Sequence, residues 1–99
     1  MVTPVNITAK PKLLGVNNMK KILRFTASWC QPCKGLAMNL EAAELTLPIE
    51  VIDIDVMSDV AIEFGIRSVP TLVMMEDNTV LKRITGMQTV QQLKEWATT

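Results

Sequence analysis

Residues 29–34 read Trp29-Cys30-Gln31-Pro32-Cys33-Lys34 and contain both cysteines of this 99-residue chain. They follow a mostly apolar run, Lys20 to Ala27, which is typical of a strand covered on both faces. They lead into residues 34–45, in which Leu36, Leu40 and Ala43 recur at helical spacing. The cysteine pair therefore stands where a strand passes into a helix, an arrangement that indicates a thiol–disulfide redox site.

The start of a helix activates a thiol. Free backbone N–H groups and the helix dipole favour negative charge there, so we expect Cys30 to have a lowered pKa and to react as a thiolate. Pro32 suits the first helical turn, where its missing N–H costs nothing. Cys33 lies one turn further on the same face, close enough for a small-ring disulfide. We therefore expect Cys30 to attack a substrate disulfide and Cys33 to resolve the mixed disulfide.

Three other interpretations of the cysteine pair remain open. Half of a zinc site is one, although zinc takes about four ligands and the chain has no histidine and no third cysteine. A purely structural disulfide is another, although the stabilisation by a disulfide grows with the length of the loop that it closes. The third is a pair of ordinary buried core residues. We expect no metal ion at this site.

Length and composition predict one globular domain over residues 1–99. Apolar residues make up 48% of the chain and charged residues 20%. Ten basic and ten acidic residues give zero net charge, so nothing indicates a nucleic-acid or membrane-surface partner. No apolar run has transmembrane length, and residues 1–15 lack the pattern of a signal peptide. We therefore expect a cytoplasmic protein, in which cysteines at this spacing are more often catalytic than structural.

Strand and helix patterns alternate along the rest of the chain. The predicted elements are a short strand at 2–8, a weak helix at 10–16, strands at 20–27 and 49–56, helices at 34–45 and 58–65, a hairpin of strands 71–76 and 79–85, and a final helix capped by Thr89. Pro48 is expected to end the first long helix, while Ser58 and Gly65 are expected to bound the next. This order predicts an α/β fold with a central mixed sheet and helices on both faces.

With these elements in place, the chain resembles the thioredoxin family over nearly its whole length. The resemblance rests on Trp29-Cys30-X-Pro32-Cys33-Lys34, on Val69-Pro70-Thr71 before a strand, on Gly86 before the last helix, and on Phe25, Asp55 and residues 64–67. It implies the thioredoxin fold and a protein disulfide reductase without a bound cofactor. The implied partners are disulfide-bearing proteins and a thioredoxin reductase or an equivalent electron donor, and the implied state is a monomer.

The resemblance also implies substrate-binding roles. Pro70 is expected to follow a cis peptide bond and to pack beside the disulfide, with the Val69 backbone turned toward the dithiol to pair with an extended substrate. Trp29 is expected to form part of the docking surface, and Gly86 to let the substrate backbone approach closely. Without the resemblance, the alternatives are an ordinary trans proline at the start of a strand for Pro70, a packed aromatic for Trp29 and a plain turn glycine for Gly86.

Arg24 is the clearest departure from the family pattern. Thioredoxins usually carry a buried aspartate at this position, thought to accept the proton of the second cysteine, and the lysine that usually faces it corresponds to Val51 here. If Arg24 points inward, it needs a partner such as Asp53, Asp55 or Glu44, because an unpaired buried charge is costly. Otherwise its stem extends over apolar surface toward solvent.

Other departures also concern the dithiol. Gln31 replaces the usual glycine, Met38 replaces a proline common in the following helix, and the segment before the second strand is shorter than usual. We expect Gln31, Pro32, Lys34 and Arg24 to tune the dithiol. A cation at Arg24 near the thiols would lower the pKa of Cys30 and weaken the reductant, while the missing carboxylate would slow release of the mixed disulfide.

A different class of function also fits the sequence. The chain could be a thioredoxin-fold binding or accessory subunit whose redox activity is incidental. Met74, Met75 and Met87 would then line an adaptable surface, although the sequence fits ordinary packing of these side chains equally well.

Overall fold

The computed structural model describes residues 19–98, which form a four-stranded mixed sheet and three helices. The elements are β1 (Lys20–Thr26), α1 (Gln31–Ala43), β2 (Ile49–Asp53), α2 (Ser58–Glu63), β3 (Thr71–Glu76), β4 (Thr79–Thr85) and α3 (Val90–Thr98). The strand order is β2-β1-β3-β4, with β1 and β2 parallel and the other pairs antiparallel. This confirms the predicted α/β architecture. The predicted strand at 2–8 and helix at 10–16 lie outside the described residues.

The core lies on both sides of β1, because successive side chains of a strand point to opposite faces. On one face, Ile22 packs against α1 and α3 in a cluster with Leu36, Leu40 and Leu93. On the other face, Leu23 and Phe25 pack toward α2 in a cluster with Ala61 and Val73. Helices therefore cover both faces of the sheet, as predicted.

Helix α1 begins at the cysteine motif and ends earlier than predicted. Cys30 is its N-cap, and Pro32 lies in its first turn. The helix ends at Ala43, because Glu44 adopts the left-handed conformation with a φ of 51°. Pro48 therefore does not end it, and the predicted end at residue 45 is wrong.

The end of β2 and the start of α2 also differ from the prediction. Strand β2 ends at Asp53 and not at Val56, since the backbone N–H groups of Val56 and Met57 turn back to the Asp53 carbonyl at 3.1 and 2.8 Å. Ser58 is the first residue of α2 and not its N-cap, a position that Met57 takes without a side-chain hydrogen bond. Gly65, with a φ of 66°, follows the end of α2 as predicted.

The C-terminal third follows the prediction closely. Strands β3 and β4 have the predicted bounds. Thr89 caps α3, because its Oγ1 accepts the Gln92 N–H at 3.0 Å and Gln92 Oε1 accepts the Thr89 N–H at 2.8 Å. The sequence left the placement of three methionines open: Met74 and Met75 are buried in the core, and Met87 is half-exposed. None of the helices formed by residues 19–98 has the length and apolarity needed to cross a membrane.

Candidate active site

Cys30 and Cys33 form a disulfide at the start of α1, with their Cα atoms 5.3 Å apart. Both are buried, Cys30 at 4% exposure and Cys33 at 1%. The Cys33 backbone N–H points at Cys30 Sγ, with an N-to-S distance of 3.2 Å. The first turn of α1 therefore directs a backbone donor at the Cys30 sulfur, an arrangement that would stabilise a thiolate on that atom.

The Val69–Pro70 segment lies against the disulfide. The peptide bond between these residues is cis, in agreement with the resemblance. Cys30 Sγ lies 3.7 Å from the Val69 carbonyl oxygen. Pro70 is buried, while Val69 is partly exposed. The structure therefore brings Val69 and Pro70 beside Cys30, as the resemblance implied.

Gly86 lies next to Pro70 at the edge of the site. Its backbone N–H donates to the Pro70 carbonyl at 2.9 Å, and its φ of 95° favours glycine. A Cβ atom placed on Gly86 would meet no atom within 4 Å. The space over Gly86 is therefore open to an approaching chain.

Trp29 lies on the surface next to the disulfide. Its side chain is 66% exposed, so it is not a packed core aromatic. Its indole Nε1 donates a hydrogen bond to Asp55 Oδ2 at 2.9 Å. This bond holds a large apolar face in place beside the cysteines.

Gln31, Pro32 and Lys34 occupy the exposed side of the first turn of α1. Pro32 lies in the first helical turn as predicted, and neither Gln31 nor Lys34 has a side-chain hydrogen bond within residues 19–98. All three residues lie around the dithiol, and their effect on its reactivity stays a prediction.

The contacts that fasten the loop after Gly86 to α1 were not predicted from the sequence. Asn39 Nδ2 donates to the Gln88 carbonyl at 2.8 Å. A Cβ atom on Gly35 would lie 2.8 Å from the terminal methyl group of Met87, so Met87 packs directly over this glycine. A glycine inside a helical pattern was the available signal for this close approach.

Arg24 is half-buried on the α1 face of the sheet. Partial burial separates the guanidinium from water and lowers the pKa of Arg24. In the part of the chain that the structure describes, Arg24 has no ion pair with Asp53, Asp55 or Glu44, so of the two alternatives left open by the sequence the paired one is not found. Its side chain borders a groove that also contains Leu40 and Val51.

A cleft of about 250 Å³ lies between the end of β1, the start of α1 and the end of β2. The residues that line it include Arg24, Thr26, Cys33, Lys34, Ala37 and Asp53. The Asp53 carboxylate and the cations Arg24 and Lys34 therefore line the same cleft as Cys33. Nowhere in residues 19–98 do three or more cysteine or acidic side chains cluster closely enough to hold a metal ion.

Comparison with known proteins gives one consistent result. The model of the thioredoxin family matches residues 5–99. The thioredoxin of Chlamydia muridarum is 39% identical over 70 residues, which cover 68% of this chain and 69% of that protein. The thioredoxin of Bacillus subtilis is 35% identical over 75 residues, covering 72% of each. A solved mutant thioredoxin from Halobacterium salinarum superposes with a TM-score of 0.74 at 30% identity, covering 81% of this chain and 73% of that one.

Proposed function

This chain belongs to the thioredoxin family and is a thiol–disulfide oxidoreductase, and we propose that it reduces protein disulfides with Cys30 as the nucleophile and Cys33 as the resolving thiol. The observation that carries this proposal is the Cys33 N–H directed at Cys30 Sγ from the first turn of α1. Only the thiolate form of cysteine is an effective nucleophile, and this donor favours it on Cys30.

The reaction has two displacement steps. The Cys30 thiolate attacks one sulfur of the substrate disulfide, a new S–S bond forms, and the other substrate sulfur leaves as a thiolate that takes a proton from water. Cys33 then loses its proton and attacks Cys30 Sγ, which breaks the mixed disulfide and releases the second substrate thiol. The substrate gains two electrons, and the protein is left with the Cys30–Cys33 bond that the structure contains.

The positions of the two sulfurs support this division of roles. Cys30 is the N-cap, lies against the partly exposed Val69 carbonyl and receives the helix N–H. Cys33 is inside the first turn at 1% exposure, against 4% for Cys30, so Cys30 is the more accessible of the two sulfurs. Cys33 therefore acts only after Cys30 has formed the mixed disulfide.

The surface around Cys30 suits an extended polypeptide. The Val69 backbone offers hydrogen-bonding groups to a strand-like substrate, in the manner of an added β-strand. The open space over Gly86 admits the substrate backbone on one side. The exposed face of Trp29 offers apolar contact on the other. These groups would hold the substrate disulfide in line with Cys30 Sγ.

The proposed cycle needs an external electron donor and no bound cofactor, since both electrons are held by the two sulfurs. A thioredoxin reductase or an equivalent dithiol donor would restore the reduced form. Such a cycle suits a compartment that keeps thiols reduced, which is the cytoplasm. We propose that a monomer of one domain over residues 1–99 is sufficient, because Cys30, Cys33, Trp29 and Val69 all come from one chain.

Reduction of insulin disulfides with dithiothreitol as the electron source tests the proposal. The native protein is expected to accelerate insulin reduction, and Cys30→Ser is expected to abolish the acceleration. A folded native protein without activity, or a fully active Cys30→Ser variant, would contradict the proposal. The first of these results would favour an accessory subunit with incidental redox chemistry.

A further inference from the structure

The second displacement step raises a question about the proton of Cys33. This thiol must become a thiolate before it attacks Cys30 Sγ. It is 1% exposed and clusters with Ala27, Ile54 and Val69. Apolar surroundings disfavour a charged sulfur. A nearby group that accepts the proton would therefore speed the release of the substrate.

The cleft beside Cys33 contains one such group. Of the described residues that line it, Asp53 is the only carboxylate, and Arg24 and Lys34 are the cations. A volume of about 250 Å³ is many times the ~15 Å³ that one water molecule needs, and the charged lining offers that water its hydrogen-bond partners. Water in this cleft can connect the thiol to the carboxylate.

The fold fixes the Asp53 side chain in this position. Asp53 is the last residue of β2 and is paired with Thr26, so its side chain lies on the same face of the sheet as α1. Its Oδ1 accepts the backbone N–H of Asp55 at 2.8 Å. Within residues 19–98 its Oδ2 has no hydrogen bond, so this oxygen is available to water in the cleft.

We propose that Asp53 accepts the proton of Cys33 through this cleft when the mixed disulfide is resolved, and that Arg24 stabilises the thiolate as it forms. This inference rests on the proposed function. The proton passes from Cys33 through water to the Asp53 carboxylate, and the Cys33 thiolate attacks Cys30 Sγ. The bond between Cys30 and the substrate sulfur breaks, and that sulfur leaves with the electron pair and takes up a proton from solvent.

Other charged groups near the cleft do not fill this role. Arg24 and Lys34 are cations, and a cation is not a proton acceptor for a thiol. Glu41 and Glu44 line a different groove, which Arg24 also borders. Asp55 is outside the cleft lining, and its Oδ2 accepts the Trp29 indole N–H. A pH effect confined to the second step would therefore point to Asp53.

Rapid-mixing experiments with the reduced protein and dithiobis-nitrobenzoate, whose thiolate product is coloured, separate the two steps. Attack by Cys30 releases the first product, and attack by Cys33 releases the second. Asp53→Asn is expected to slow the second release at about pH 7 by about tenfold or more, since a positioned base typically contributes at least that much. The first release should change less than twofold. The difference should shrink toward about pH 9, where hydroxide deprotonates a thiol unaided.

Two further variants complete the design. Asp77→Asn removes a carboxylate in the β3–β4 turn, at the opposite end of β3 from Pro70, and should behave as the native protein does. Asp53→Glu keeps a carboxylate in the cleft and should retain most of the rate of the second release.

The outcomes separate the inference from the function on which it rests. A second release that is unchanged in Asp53→Asn, or that is slowed equally at every pH, would overturn the role of Asp53. A native protein that releases only one product would overturn resolution by Cys33, and the proposed function with it.

Discussion

The Trp29 indole N–H donates to Asp55 Oδ2 at 2.9 Å, although the indole ring is 66% exposed. An exposed ring without such a bond would sample several rotamers and would have to be ordered when a substrate binds. The bond therefore holds the Trp29 ring in one orientation beside Cys30 before a substrate binds.

Breaking this bond should weaken the reduction of protein substrates specifically. Asp55→Ala is expected to lower kcat/KM for insulin about fivefold, since a hydrogen bond of this kind contributes about 1 kcal/mol. Its reaction with a small aromatic disulfide should change little, because such a reagent does not use the docking surface. Asp59→Ala on α2 is the matched control. Equal losses with both disulfides would show that Asp55 acts on the dithiol and not on docking.

Arg24 should reduce the stability of the fold. Its lowered pKa means that the charged form is disfavoured in the folded state, and this cost is present at every pH below the folded-state value, including neutral pH. Arg24→Met should therefore raise the free energy of unfolding by about 1 kcal/mol, a discounted figure for a half-exposed charge. That corresponds to an increase of about 4–8 °C in Tm for a domain of this size.

Calorimetry of Arg24→Met measures this gain in stability. Arg83→Met is the matched control, because Arg83 is exposed on β4. The control should change stability by less than about 0.5 kcal/mol. A loss of stability in Arg24→Met would reveal a favourable interaction of this guanidinium.

The same cation should favour the thiolate form of the reduced dithiol. Arg24→Gln removes the charge from the cleft that Cys33 lines, so the thiol titration should move to higher pH. Ultraviolet absorbance of the thiolate measures this directly in the reduced protein. Superimposable titration curves of the native and variant proteins would remove Arg24 from the tuning of the dithiol.

Glu44 is expected to be a weak point of α1. It terminates the helix with a φ of 51°, a conformation that glycine adopts without the steric cost that a Cβ atom brings. Glu44→Gly should stabilise the protein by about 0.5–1 kcal/mol, part of the gain being offset by the freedom of glycine in the unfolded chain. Chemical denaturation of Glu44→Gly and Glu44→Ala tests this, and an equal gain from alanine would exclude the backbone explanation.

Local sequence patterns were sufficient to predict part of this fold. The hairpin of β3 and β4, the Thr89 cap and the cysteine motif at the start of α1 depend on residues close in sequence. Each of them was predicted correctly. The Ser58 cap was wrong because Met57 already turns back to the Asp53 carbonyl, a bond set by the end of β2.

Features that depend on distant residues escaped the sequence analysis. The left-handed end of α1 at Glu44 has no local signal, since glycine is the usual residue there. The sequence left open whether Arg24 is paired, and it did not indicate that one candidate partner, Asp55, accepts a hydrogen bond from Trp29. The cleft shared by Cys33 and Asp53 exists only once β1, α1 and β2 are packed together. No spacing in the chain indicates it.

The most direct test of the central claim is to trap the mixed disulfide. Cys33→Ser, incubated in its reduced form with insulin, should accumulate a covalent adduct on Cys30 that mass spectrometry of the digested complex locates, while Cys30→Ser should accumulate none. An adduct on Cys33 in the Cys30→Ser variant, formed as fast as the adduct on Cys30, would contradict the assignment of Cys30 as the nucleophile.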